Sequence, residues 1–271
     1  MYLLKRFYKQ PLSTKLAIVT LLILVMGAVA ADLYPADPYK TNIANSLQSP
    51  SWSHPFGTDD LGRDYFARIL HGGRATLTVG LLSMAISTLV GTTVGVISGY
   101  FGGTLDAILM RLVDLLMSIP SFFLILIANA YLKPGMQNII LIIGLFSWMG
   151  ISRMVRSVTI SIKEREYIQY AKMIGNSSKN IMLIHVLRNV AGTVWVAASI
   201  QVANAILMES ALGYLGLGAT QPTASWGSML KKAQEYLGSH FYLAVFPGML
   251  IVITVLCFNV IGNRMKEGEA Q

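Results

Sequence analysis

Residues 153–188 read RMVRSVTISIKEREYIQYAKMIGNSSKNIMLIHVLR, a polar island inside an otherwise apolar chain. Arg153, Arg156, Lys163, Arg165, Lys172, Lys179 and Arg188 stand against Glu164 and Glu166, so 7 minus 2 leaves a net +5 between two apolar runs. A basic loop between membrane spans stays on the cytoplasmic side. Tyr167, Tyr170, Ala171 and Ile174 recur at helical spacing, Gly175 can end that helix in the left-handed conformation, and Ser177 or Ser178 can cap the next. Two short helices folded over a glycine make a compact knob under the bilayer, with the shape to plug into a soluble partner. The competing reading is an ordinary solvated basic loop.

The surroundings of the island set the class. Of 271 residues 54% are hydrophobic and 13% charged, whereas a soluble domain carries about a quarter charged residues. The chain is therefore expected to be an all-α integral membrane protein. A bilayer core takes about 20 apolar residues per helix, and six runs qualify: Leu16 to Tyr34, Ala75 to Ser98, Ala107 to Tyr131, Asn138 to Val155, Val190 to Leu212 and Phe241 to Ile261. The expected organisation is an N-terminal segment 1–15, a first span 16–34, an outer segment 35–74, a five-helix core 75–263 with its cytoplasmic loop at about 157–189, and a tail 264–271. The single cysteine, Cys257, excludes an intrachain disulfide.

Six spans place both ends on one side, and charge says which. Lys5, Arg6, Lys9, Lys15, Arg111, the seven bases of the island, Arg264 and Lys266 give 14 on one side. Lys40, Arg63, Arg68, Arg74, Lys133, Lys231 and Lys232 give 7 on the other, diluted by Asp32, Asp37, Asp59, Asp60, Asp64 and Glu235. Both termini are expected in the cytoplasm. The overall charge of +8 reflects topology and contact with membrane lipid, and nothing points to nucleic acid. The basic start followed by Ala28-Val29-Ala30 also fits a cleavable signal, although an apolar run of about 16 residues is longer than such signals use.

Outside the spans, HPFGTDDLGRD at 54–64 is rich in turn residues, and Tyr65, Phe66, Ile69 and Leu70 then form one apolar face. Trp226, Met229, Leu230, Ala233 and Leu237 form another, with Lys231, Lys232 and Glu235 opposite. Both read as amphipathic helices lying at the membrane surface, as braces or as a docking rim. Ionisable groups in spans mark function or a pair. Asp106, Arg111, Asp114, Arg153 and Arg156 gather at the cytoplasmic ends of the third and fourth spans and read as an inner salt-bridge cluster. Arg111 and Asp114 are spaced to pair within a helix, with Arg153 and Arg156 as alternative partners. Gln201, Asn204 and Met208 share a face below Glu209 on the fifth span, so these four either line a pathway or form a polar seam between packed helices. Pro120 is expected to kink the third span.

Catalytic and metal chemistry find little support. His54, His71, His185 and His240 are scattered, with no pair at i, i+4. No GxxxxGK[ST] phosphate cradle occurs, and no serine sits in a nucleophile elbow. Neither an inverted repeat with midplane charges, as in a secondary transporter, nor the catalytic constellation of a membrane-embedded enzyme is evident.

Five segments resemble one family in order: HPFGTDDLGRDYFARILHGGR, YFGGTLDAILMRLVDLLMSIP, REYIQYAKMIGNSSKNIMLIHVLRN, ALGYLGLGATQPTASWGSML and FPGMLIVITVLCFNVIGNRM. They resemble the inner-membrane permease subunits of ABC importers for dipeptides, oligopeptides and nickel, specifically the shorter of the two paired permeases. The resemblance implies the type I importer fold and a loop of the EAA type. Glu166, Tyr167, Gln169, Tyr170, Ala171 and Gly175 would form its coupling element, with His185 and Leu187 in the closing helix. It further implies a homologous second permease, two cytoplasmic ATPase subunits and an extracytoplasmic binding protein. ATP and magnesium would belong to the ATPase subunits, with no cofactor in this chain. Gln169 and Tyr170 depart from the acidic and small residues usual in this loop. Arg188 stands where the family commonly has proline, which would let the closing helix run unbroken into the fifth span.

Overall fold

A computed structural model describes residues 10–132, 135–220 and 222–269. Lys5, Arg6, Lys9 and Lys133 of the charge count, and the last two residues of the tail, lie outside the described residues. Among these residues the fold is helical, with one isolated bridge between Thr58 and Asp64. Five helical segments are long and apolar enough to cross a membrane, and a bent pair makes a sixth.

The first span, α1 (Leu12–Val29), is apolar around its circumference and continues into a short 3-10 turn, Ala30–Leu33. Arg74 caps it from outside, donating to the carbonyls of Ala28 and Val29 at 2.9 and 3.0 Å and to Asp32 at 2.9 Å. Such capping suits the orphan carbonyls and negative pole of a helix C-terminus.

The second helix, α2 (Tyr65–Phe101), is 37 residues long, about 55 Å at the α-helical rise. That exceeds a hydrocarbon core of about 30 Å. The apolar face of Tyr65, Phe66, Ile69 and Leu70 therefore does not belong to a separate helix in the membrane interface, as the pattern suggests. It is the outer end of the second span, with Tyr65 and Ile69 in the protein core. Asp64 starts the helix by accepting from the Ala67 N–H at 2.8 Å, and Gly102, at φ +69°, ends it.

The third span is a broken one. Helices α3 (Gly103–Met117) and α4 (Ser121–Tyr131) meet at 80° across residues 118–120. Pro120 supplies no N–H, and it disfavours the helical conformation at Ile119 before it. The expected kink is thus a full break. The fourth span comprises α5 (Met136–Phe146) and α6 (Met149–Lys163). Beyond α7 (Glu166–Met173), α8 runs from Ser178 to Tyr214 with a π-helical stretch at Ile181–Val186. It continues without interruption past Arg188. The last elements are the short α9 (Trp226–Ala233) and α10 (Tyr242–Glu269).

Three glycines on one face of α2 set the spacing of the bundle. An added Cβ would lie 2.8 Å from the Trp148 carbonyl oxygen at Gly91, 2.6 Å from that of Ser152 at Gly95, and 2.8 Å from that of Arg156 at Gly99. The backbone of α6 lies directly on that of α2, the close approach that small residues permit between membrane helices. Overpacking of this kind costs about 1–3 kcal/mol where neighbours can yield, and the neighbours here are backbone. Gly95→Ala is expected to lower the thermal midpoint of the detergent-solubilised protein, and Gly95→Leu to abolish the monodisperse species. An unchanged midpoint in both variants would exclude this contact as the determinant of spacing.

Candidate coupling element and translocation cavity

The knob takes shape from its own caps. At the end of α7 the Asn176 N–H donates to the Ala171 carbonyl at 3.1 Å and the Gly175 N–H to that of Lys172 at 3.0 Å. This pair of hydrogen bonds is the Schellman arrangement, which needs a left-handed residue at the turn, and Gly175 supplies it at φ +85°. Ser177 then caps α8, its hydroxyl accepting from the Asn180 N–H at 3.3 Å. Ile168 and Ala171 anchor α7 to an inner core of Val96, Val155, Ile162, Ile181, Val186 and Val190. Of the helical repeat Tyr167, Tyr170, Ala171 and Ile174, Ala171 is buried, whereas Tyr170 and Ile174 are 65% and 60% exposed, beside Met173 at 84%. Ile168, three residues before Ala171, was the overlooked anchor.

The other members of the loop are placed by contacts within the chain. Gln169 Nε2 donates to the Lys163 carbonyl at 2.9 Å and so caps α6. An acidic side chain at this position, lacking a donor, could not make that bond when ionised. The Tyr167 and His185 rings lie 6.2 Å apart, joining α7 to the start of α8. Leu187 packs on the inner core. Lys172 Nζ sits 5.5 Å from the centre of the Tyr100 ring on α2, within cation–π range.

The inner ionic cluster forms between helices rather than within one. Arg156 Nε and Nη2 donate to the two oxygens of Asp106 at 2.6 and 2.5 Å, a bidentate pair joining α6 to α3. The Ser98 hydroxyl of α2 donates to the same carboxylate. Arg153 pairs with Asp114 one turn away on α6. Arg111 is exposed, and none of the ion pairs among the described residues includes it. The same-helix spacing of Arg111 and Asp114 loses because the close seating of α6 brings two guanidinium groups across the helix junction.

Gln201, Asn204 and Met208 converge on a cavity of about 510 Å³. The break at Ile119, Pro120 and Ser121 and the α5–α6 junction form its other walls. Glu209 lies elsewhere. It is 1% exposed and accepts from the Thr76 hydroxyl at 3.1 Å, while Thr76 accepts from the Trp226 N–H at 3.2 Å. Glu209 thus joins α8 to α2 and α9 and does not line the cavity. Thr76, with only a hydroxyl in a run of apolar residues, gave no signal in the sequence.

The outer face is also built around paired charge. Asp59 accepts from Arg63 Nε at 2.7 Å and from the N–H groups of Leu61 and Arg63, with Arg68 Nε at 3.2 Å. Lys232 bridges Glu235 at 2.8 Å and Asp60 at 3.4 Å. The Glu235 hydrogen bond holds the Lys232 ammonium above the usual lysine pKa. Helix α9 buries Trp226, Met229 and Ala233 in the protein rather than lying on the lipid surface, and Leu237 is excluded from that face. The Trp226 Nε1–H donates to the Ile69 carbonyl at 3.0 Å.

The profile of one family, described as the binding-protein-dependent transport system inner membrane component, matches residues 91–267. A dipeptide transport system permease protein, DppC, of Alkalihalophilus pseudofirmus is 39% identical over 96% of this chain and 87% of its own. Oligopeptide transport system permease proteins, OppC, are 36% identical in Haemophilus influenzae, covering 97% and 85%, and 34% in Bacillus subtilis, covering 94% and 85%. An inward-facing structure of the MetNI methionine ABC transporter shares the fold, with a TM-score of 0.60 at 19% identity over 74% of this chain and 95% of that one.

The clasp between Asp106 and Arg156 is open to a double-mutant cycle. Hydrogen bonds to charged groups contribute about 1.5–3 kcal/mol, and coupled pairs in contact show interaction terms of about 0.5–3 kcal/mol. Asp106→Asn and Arg156→Gln are each expected to lower stability, the double variant by less than their sum, in denaturant titrations of the solubilised protein. Strict additivity would show that the pair contributes nothing.

Proposed function

The chain belongs to the family of binding-protein-dependent transport system inner membrane components and is a transport permease, and on that premise we propose that it forms half of the translocation pathway of an ATP-driven peptide importer. The observation that carries the coupling role is the knob. Helix α7 is pinned to the bundle by Ile168 and Ala171, while Tyr170, Met173 and Ile174 face outward. An apolar surface of that kind below a membrane bundle suits insertion into a cleft of a soluble subunit.

In this reading Glu166, Tyr167, Gln169, Tyr170, Ala171 and Gly175 form the element that meets the ATPase, and His185 and Leu187 brace it. Two ATPase subunits hold ATP and magnesium, a homologous permease completes the pathway, and an extracytoplasmic binding protein delivers cargo to the outer face. Both termini and the knob lie in the cytoplasm, as the lysine and arginine asymmetry favours. Gln201, Asn204 and Met208 line this chain's share of the pathway. The cargo is assigned as peptide because DppC and OppC, named for dipeptide and oligopeptide transport, are similar to this chain over nearly its whole length. Family membership weighs against the secondary-transporter and enzyme alternatives.

Gly175 tests coupling. Left-handed backbone costs a residue with a Cβ about 1–2 kcal/mol, and asparagine tolerates it best. A Cβ at Gly175 meets nothing within 4 Å, so conformation alone is at issue. Gly175→Val in the reconstituted complex is expected to assemble and hydrolyse ATP but to lose uptake, whereas Gly175→Asn keeps it. Normal uptake by the valine variant would remove this turn from the coupling element.

Orientation is read by cysteine labelling after replacing Cys257 with serine. Ser178 and Gln234 are exposed at opposite ends of the bundle, whereas Ser228 is tied into the α9 capping box. In intact cells Gln234→Cys is expected to react with an impermeant thiol reagent and Ser178→Cys to resist it. The reverse pattern would invert the topology.

A further inference from the structure

The cavity wall has a chemistry of its own. None of its lining residues is ionisable. Its polar side chains include two carboxamides, Gln201 and Asn204, one helical turn apart on α8, set among Met117, Phe122, Phe146 and Met208. Gln201 is only 8% exposed, and its Nε2 is enclosed without a hydrogen-bond partner. A buried amide donor left unpaired is unfavourable. Gln201 also lines the cavity, and a half-turn of its last torsion, which is broad and two-fold, exchanges the two ends of the carboxamide and turns the donor toward an acceptor there.

We propose that the Gln201 carboxamide is a cargo-binding group of the pathway and that its ligand is the carbonyl oxygen of a peptide bond. The choice of acceptor follows from charge. A carboxylate entering this wall would shed water with no cation to meet it, and burial of an uncompensated charge is far costlier than burial of a neutral carbonyl. The remaining wall favours tolerance of side chains, since methionine adapts its shape to what it contacts. A cavity that contacts the backbone amide, through Gln201 and the exposed Asn204 one turn along, passes peptides of varied sequence and leaves selection to the binding protein. This inference rests on the reading of the cavity as part of the translocation pathway.

The test uses the complete transporter, both permeases with their ATPase subunits and binding protein, in vesicles supplied with a mixed pool of labelled short peptides. Gln201→Leu removes the donor at similar volume. Loss of one neutral hydrogen bond at a binding step corresponds to roughly a five- to tenfold fall in uptake, with ATP hydrolysis stimulated by the binding protein unchanged. Wild-type uptake by the assembled variant overturns the inference. Should the leucine variant fail to assemble, Gln201→Met, closer in length, is judged by the same two outcomes. A photoreactive residue at Met208 separates this inference from the reading beneath it. Cross-linking to peptide during turnover, together with normal uptake by Gln201→Leu, overturns the role of Gln201 alone. Absence of cross-linking overturns the cavity as pathway, and the inference with it. Failure of the wild-type complex to take up any peptide in the pool overturns the ligand class.

Discussion

The backbone contact between α2 and α6 is the constraint on which the knob-bearing half of the molecule depends. Lipid is as apolar as leucine, so membrane helices gain little from burying apolar surface against each other and associate by close packing and polar contacts. Gly91, Gly95 and Gly99 provide the packing, because each leaves room for a carbonyl of α6. That seating fixes where Arg153 and Arg156 emerge. Arg156 then reaches Asp106, whose carboxylate also takes the Ser98 hydroxyl, so α2, α3 and α6 meet at one charge.

The outer half is held by different means. There Glu209, Thr76 and Asp59 are buried, and each has a partner. Glu209 is met by Thr76, Thr76 by the Trp226 backbone, and Asp59 by two arginines and two backbone N–H groups. Breaking a buried pair strands a charge and costs about 3–5 kcal/mol, whereas exposed pairs contribute about 0–1 kcal/mol. Asp114 and Arg153 are half exposed and Asp106 and Arg156 partly so. The Asp59 cluster is thereby more firmly locked than the clasp beside the knob.

The apolar runs and the helix–glycine–helix order of the island were legible in the sequence, since the length of an apolar run and a glycine between periodic segments are local signals. The partners were not. Whether Asp114 takes Arg111 or Arg153 depends on which helix lies across it, and spacing within one helix carries no such information. The same holds for Glu209: it shares the fifth span with Gln201 and Asn204 but turns toward Thr76. Likewise the Tyr65 segment looks like a surface helix until the full length of α2 is known. One signal was present and unread, the four-residue repeat Gly91, Gly95, Gly99, which marks a helix contact rather than a turn.

The layout connects the knob to both walls of the cavity. One connection is continuous: α8 begins at the knob with Ser178 and carries Gln201 about 35 Å away along the same helix. The other is jointed. Helix α6 ends beside α7, is clasped to α3 by two ion pairs, and α3 leads to the break at Pro120 on the facing wall. A rigid displacement of the knob would reach the Gln201 wall directly, whereas it reaches the Pro120 wall only through the clasp and across an 80° bend. Two walls driven through links of unequal stiffness cannot move by equal amounts. A push on one side of the bundle would therefore change the width of the cavity instead of carrying it along unchanged. The π-helical stretch at Ile181–Val186 sits on the continuous path, between knob and cavity, and π turns inside α-helices occur frequently at functional sites. Arg188, which keeps its backbone N–H, lets that path run as unbroken helix from the knob to the cavity.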